Sequence, residues 1–222
     1  MESLSGTDRE GVSPAKLYRC LKLIFGKKIL GADAFLDRFT DFDVEALREL
    51  THKSLLNVLL DVDDCIAPAY GPIPDENLAH VEHLQSSGVG VGIYSNCKGT
   101  SRLAPLRGMG VQVYNGKFAK PAPKGFIEAC RMAGFDPKRT WMVGDNPMTD
   151  GGAAGVLEGM AFIRPIERSI EEPRQNLTFR RRIHLPFLRY LRKIAIDVNL
   201  EGNDRIIRSA DLMSNTGRGD RT

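Results

Sequence analysis

Short apolar runs alternate with amphipathic stretches through the middle of the chain. Leu55–Leu60, Val89–Tyr94, Val111–Tyr114, Thr140–Val143 and Ala161–Arg164 read as strands. Between them Asp75–Gln85, Ser101–Leu106, Lys124–Met132 and Gly152–Leu157 read as helices. Leu78, Val81 and Leu84 or His83 turn inward on the first, which Ser86-Ser87-Gly88 ends, and Gly134 closes the third. Strand and helix in alternation predict an α/β fold, a doubly wound parallel sheet. Ahead of it, Val44–Leu50 reads as a short helix. Pro14–Phe25 places Leu17, Cys20, Leu21 and Ile24 at helical spacing. Beyond Ile166 the rhythm changes. Residues 167–175 are polar and include Pro173, and Phe179–Ile194 mixes arginines with Phe187, Leu188, Leu191 and Ile194 at helical spacing. From Asn199 onward the pattern predicts weak order. Three regions follow: a leader with a basic amphipathic helix (1–40), a central α/β domain (41–166), and a basic, partly disordered extension (167–222).

Charge and cysteine usage add to this picture. The net charge is only +3, but it is uneven: residues 14–30 hold five lysines and arginines with no acid, and residues 174–194 hold seven, again with none. Such runs read either as solvated faces or as surfaces for anionic lipid headgroups; no nucleic-acid-binding motif accompanies them. Cys20, Cys65, Cys97 and Cys130 are scattered without a CxxC pair, which argues against zinc and disulfides and for a reducing compartment. No apolar run is long enough to span a bilayer. Glu2, Asp8 and Glu10 argue against a secretory leader or an acid-poor transit peptide. The expectation is a cytoplasmic protein, peripheral at a membrane if the basic segments bind lipid, with an organellar matrix left open.

A parallel sheet presents functional groups at the carboxyl ends of its strands. The first predicted strand ends in Asp61-Val62-Asp63, two carboxylates one residue apart; a turn or helix-capping aspartate is the alternative reading there. The second ends in Tyr94-Ser95-Asn96, a hydroxyl and an amide. After the third comes Lys120-Pro121, a cation able to neutralise a phosphoryl group. The fourth ends in Gly144-Asp145, followed by Thr149-Asp150, carboxylates suited to a hard cation. Taken singly, Ser95 and Lys120 read as ordinary surface residues; the ordered set of strand ends points to phosphoryl transfer. Cys97 has no histidine partner and reads as a small hydrophobe. His80 and His83 read as solvent-facing or packed, and Trp141 as a core or core-edge residue.

At these positions the chain resembles the haloacid dehalogenase (HAD) superfamily, whose four motifs match Asp61-Val62-Asp63-Asp64-Cys65, Ser95, Lys120 and Gly144-Asp145-Asn146-Pro147-Met148-Thr149-Asp150. The resemblance covers about residues 41–166. A finer resemblance, to the subfamily IIIA, YqeG-type phosphatases that include phosphatidylglycerophosphate phosphatases, rests on four features. These are Phe42-Asp43-Val44-Glu45-Ala46-Leu47, Tyr94-Ser95-Asn96, Ala119-Lys120-Pro121 and the short arginine-rich tail. Cys65 departs from the usual Thr or Val, and Asp64 stands where YqeG-type proteins often carry Asn; its reading is a turn hydrogen bond. The resemblance implies a Rossmann-like three-layer αβα sandwich and a Mg²⁺-dependent phosphatase. In it Asp61 is the nucleophile and Asp63 the acid/base. Asp61 and Asp145 bind the metal together with the Asp63 carbonyl, and Asp150 supports the metal or Lys120. Ser95, Asn96 and Lys120 hold the phosphoryl group.

In this superfamily a cap domain usually covers the site of enzymes that act on small metabolites. Here Asp61 and Ser95 are only 34 positions apart, and Ser95 and Lys120 only 25, too few for such an insertion. A capless site suits a phosphate on something large. The leading expectation is hydrolysis of a phosphomonoester, with phosphatidylglycerophosphate as substrate. The alternatives are a phosphatase of a soluble or protein-bound phosphomonoester and a non-catalytic HAD-like binding protein; the complete set of acids with Lys120 speaks against the last.

Overall fold

The computed structural model describes residues 32–96, 101–153, 157–166 and 179–216. Its strands are β1 (Ala34–Leu36), β2 (Asn57–Leu60), β3 (Gly90–Tyr94), β4 (Gln112–Tyr114), β5 (Thr140–Gly144), β6 (Gly159–Ile163) and β7 (Ile207–Arg208). Its helices are α1 (Val44–Thr51), α2 (Asp75–Ser86), α3 (Ala104–Gly108), α4 (Pro123–Ala133), α5 (Phe179–Ile196) and α6 (Ser209–Thr216). Local chemistry sets several boundaries. The Asp43 carboxylate caps α1 by accepting the Ala46 N–H at 3.0 Å. Pro123 opens α4, and Gly134, at φ +74°, ends it.

The seven strands form one parallel sheet in the order β4-β3-β2-β5-β6-β1-β7. Alternation along the strands divides the core into two layers. Val58, Leu60, Val91, Ile93, Trp141, Val143, Ala161 and Ile163 face one side, where α1, α2, α3 and α6 supply Leu47, Val81, Leu84, Leu106 and Leu212. Leu59, Met142, Met160 and Phe162 face the other, against Phe126, Ala129 and Cys130 of α4 and Ile196 of α5. Strands buried on both faces read as continuous apolar runs, which is why these were legible. The three-layer α/β/α architecture matches the expectation. The chain runs from β2 outward through β3 to β4, then crosses back to β5 on the other side of β2. The carboxyl ends of β2 and β5 therefore flank a topological switch point, the usual position of a ligand crevice in such sheets.

The structure differs from the sequence reading at both edges. β1 is not read from the sequence, because Ala34–Leu36 lies ahead of the strand–helix alternation, with Gly31 and Asp33 before it and Asp37 after it. It joins the sheet through parallel pairing with β6 and β7. Residues 200–216, the described part of the segment after Asn199 expected to be weakly ordered, are built into the fold. A π-helical turn (Asp197–Glu201) leads from α5 to β7 and α6, and Leu200, Ile206 and Leu212 are buried. Each fully buried side chain of this kind contributes about 1.5–3 kcal/mol, so tertiary burial overrides a weak local pattern. The predicted Ser101–Leu106 helix is a 3₁₀ turn (Ser101–Leu103) running into α3. Residues 1–31, with the Pro14–Phe25 helix and Cys20, and Cys97 and residues 154–156 and 167–178 lie outside the described residues.

Candidate active site

The crevice between β2 and β5 is where the sequence-derived acids meet. The Asp61 N–H donates to the Val143 carbonyl at 2.8 Å, carrying the ladder one residue past β2 and seating Asp61 beside β5. The chain then turns sharply. The N–H groups of Cys65, Ile66 and Ala67 all point at the Val62 carbonyl, and Asp64 takes the left-handed conformation at φ +61°, tolerable for an aspartate. Asp64 Oδ1 accepts the Ala69 N–H at 3.2 Å, the turn bond expected of it. Cys65 is fully buried, and burial pushes its thiol well above the usual range, so it supports the loop as a packed, inert side chain.

Lys120 is the hub of the site. Its Nζ lies 2.6 Å from Asp61 Oδ2 and 2.6 Å from Asp150 Oδ1, and the side chain is 2% exposed. Asn96 fixes it from behind: its Oδ1 accepts the Lys120 N–H at 2.8 Å and its Nδ2 donates to the Lys120 carbonyl at 3.2 Å. Tyr94 adds an aromatic face 5.7 Å from Nζ and spans the same loop by donating to the Phe118 and Ala122 carbonyls. Ser95 is buried at the end of β3, its N–H donating to the Tyr114 carbonyl at 3.2 Å. Asp150 Oδ2 accepts the Asn146 N–H at 3.0 Å, which folds the Asp145–Asp150 loop back on itself. Gly144 makes room for it, since a Cβ there would lie 2.3 Å from the Asp150 carboxyl group.

Carboxylate oxygens of Asp61, Asp145 and Asp150 lie within 4.8 Å of one another, a grouping able to hold a metal ion. The Asp63 carboxylate stands apart from them. It pairs with Arg102 at 2.5 Å and accepts the Tyr70 N–H at 3.0 Å. Arg192 of α5 reaches in from the opposite side, its Nη1 lying 2.6 Å from Asp145 Oδ2 and 2.8 Å from Asp64 Oδ2. Neither arginine was singled out from sequence. Arg102 sat on a predicted helix, and Arg192 sat inside a basic run whose period resembles a solvated face; nothing local marks either.

Electrostatics follow from this packing. Burial pushes the Lys120 ammonium down, but Asp150 and Asp61 outweigh it and hold it charged. Burial raises Asp150 to about 6 despite Lys120, and raises Asp145 well above the usual carboxylate range despite Arg192. Burial likewise raises Asp63 against the pull of Arg102. Asp61, Asp63, Asp64, Asp145 and Asp150 face Lys120, Arg102 and Arg192, so carboxyl groups outnumber cations by two within the group. A hard divalent cation fits this all-oxygen donor set and its charge.

His80 and His83 lie away from this cluster. His80 stacks on His83, meets Phe39 edge-on and bonds the Phe42 carbonyl, a packed role. Trp141 is a core residue, its Nε1 donating to the Ser54 carbonyl.

A family model for haloacid dehalogenase-like hydrolases matches residues 9–156, and the chain belongs to that family. The match ends before α5, the helix that carries Arg192. Among curated proteins none matches. Ten solved chains are similar, and three of them carry informative descriptions. One is the cobalt-bound deoxy-D-mannose-octulosonate 8-phosphate phosphatase of Haemophilus influenzae, at 18% identity over 49% of this chain and 68% of that one, with a TM-score of 0.41. Another is the 3-deoxy-D-manno-octulosonate 8-phosphate phosphatase of Moraxella catarrhalis in complex with magnesium, phosphate and KDO, at 13% identity over 52% and 80%, TM-score 0.42. The third is a Legionella pneumophila protein described as a HAD superfamily (subfamily III A) hydrolase, at 13% identity over 81% and 98%, TM-score 0.43.

Proposed function

We propose that this hydrolase is a Mg²⁺-dependent phosphomonoesterase of the subfamily IIIA, YqeG-type branch, and that its substrate is phosphatidylglycerophosphate. The observation that carries the phosphatase reading is the separation of two carboxylates delivered by one strand end. Asp61 faces Lys120 and the metal-competent acids, whereas Asp63 has its own arginine and a raised pKa. Two environments for two carboxylates is how one site runs nucleophilic and acid/base chemistry together.

In this reading an Asp61 carboxylate oxygen attacks phosphorus as the ester P–O bond breaks, and protonated Asp63 gives its proton to the departing oxygen. Asp63 then takes a proton from water, whose oxygen attacks phosphorus and releases phosphate from Asp61. Lys120 and Ser95 hold the phosphoryl oxygens, and Asn96 and Tyr94 keep Lys120 in place. Mg²⁺, held by Asp61, Asp145 and Asp150, would supply positive charge against those oxygens. Most of the rate enhancement comes from positioning and charge neutralisation.

Two features support a lipid substrate. Only a loop and α2 separate β2 from β3, and the described residues between β3 and β4 hold only a 3₁₀ turn and α3, so among the described residues no cap domain is inserted between these strands. On α5, Phe187 and Tyr190 are 47% and 61% exposed beside exposed Arg189 and Lys193, a mixture suited to an anionic membrane surface. No described helix is long and apolar enough to cross a membrane. The test is phosphate release by the purified chain with Mg²⁺ from phosphatidylglycerophosphate in mixed micelles, beside Asp61→Asn. Release that Asp61→Asn abolishes is expected. Turnover of soluble esters without the lipid would move the substrate to a soluble phosphomonoester, and no turnover of any ester would leave a binding protein.

A further inference from the structure

We infer that Arg192 is a positioning residue for the metal-binding loop, so that α5, outside the family match, is a working part of the site. The inference rests on the proposed metal role of Asp61, Asp145 and Asp150. One nitrogen, Nη1, bonds both Asp145 Oδ2 at 2.6 Å and Asp64 Oδ2 at 2.8 Å. The guanidinium thus ties the residue after β5 to the turn after β2, the two segments that flank the switch point.

A second contact, apolar and independent of charge, joins the same elements. Leu191 and Ala195 of α5 pack with Met148 in a small buried cluster of their own. Met148 lies between Asp145 and Asp150, and its N–H donates to Asn146 Oδ1 at 3.0 Å. The loop that supplies two of the three candidate metal ligands is therefore braced by α5 twice, once at Met148 and once at Asp145. Further along, Ile196 and Leu200 are buried against the sheet, so the brace is anchored in the core.

The geometry suits orientation. An arginine on one oxygen of Asp145 fixes the rotation of the carboxylate and leaves the other oxygen for a cation, as partners of metal ligands commonly do. The competing role has the opposite sign. If Arg192 merely fills the place of a cation, its removal frees Asp145 and raises metal affinity.

Mg²⁺ binding to the full chain, followed by calorimetric titration with MgCl₂, separates the two. Arg192→Ala is expected to weaken Mg²⁺ affinity by about tenfold or more, the usual scale for losing an outer partner of a metal ligand. Arg192→Lys should restore part of it and also provides a second variant if the alanine substitution unfolds. Arg189→Ala, which removes an equal charge from an exposed position on the same helix, should leave the affinity within about twofold. Unchanged or tighter binding by Arg192→Ala and Arg192→Lys overturns the inference alone. Failure of the wild-type chain to bind Mg²⁺ overturns the metal reading, and the inference with it.

Discussion

Gly144 shows how much of this site depends on a single missing atom. The Asp150 carboxylate occupies the space that any Cβ at position 144 would need, and there it meets both Lys120 Nζ and the Asn146 N–H. Gly144→Ala must displace Asp150 from a packed position. We expect it to lower stability by about 1–3 kcal/mol, typical of overpacking, and to reduce kcat/KM by about a hundredfold, the scale of a misplaced catalytic constellation. Chemical denaturation and steady-state kinetics on one preparation measure both. A variant with normal kcat/KM would show that Asp150 needs no fixed place. At this scale Asp61, Ser95 and Asp145 were legible because each follows directly on a strand whose apolar run announces it, whereas Lys120 and Asp150 lie in the loops beyond β4 and β5 and were legible only as members of the ordered set. The sequence was silent on Arg192, which acts at Asp145 through a long side chain from a helix far along the chain. The resemblance implies that Asn96 touches substrate; in the structure its amide holds the Lys120 backbone, a partnership that only the folded loop reveals.

Among the elements, α2 carries a pH signature of its own. His80 is partly buried on the face that meets Phe39 and Phe42, and burial lowers its pKa below the usual histidine value of 6.5 despite the hydrogen bond to the Phe42 carbonyl. The stacked His83 lowers it too, whereas Asp41 and Asp43 oppose the shift. A lowered folded-state pKa means that the unfolded chain binds the proton more readily. The stabilisation is complete above pH 6.5 and is lost as pH falls through the folded value. In urea titrations, the stability difference between pH 8 and pH 5 should shrink in His80→Leu relative to wild type. An identical difference in both proteins would show that His80 protonates without cost. Element by element, long buried strands and capped helices were readable, with ends displaced by one or two residues. β1 and β7 were not: both are short and lie outside the strand–helix alternation that makes the equally short β4 readable, and they are defined by pairing with their partners.

For the molecule as a whole, the described part of the basic extension has two faces with different duties. Inward, Leu191, Ala195, Ile196 and Leu200 belong to the core; outward, Phe187 and Tyr190 are exposed. Deleting this region would remove core along with surface, so membrane attachment is better tested by paired surface substitutions. Phe187→Ser with Tyr190→Ser should weaken co-sedimentation with anionic vesicles severalfold while leaving the melting temperature within about 2 °C, since exposed positions carry little stability. Equal sedimentation of variant and wild type would remove α5 from any lipid contact. The pairing of β1 with β7 has a consequence in time. It is locked by the Asp37 N–H donating to Ser209 Oγ at 2.9 Å, across 172 positions of chain. As the polypeptide leaves the ribosome, β1 emerges early and must wait, unpaired on that edge, until the last strand arrives. During synthesis β1 is therefore a stretch of apolar edge, open to mispairing, that a chaperone has reason to cover.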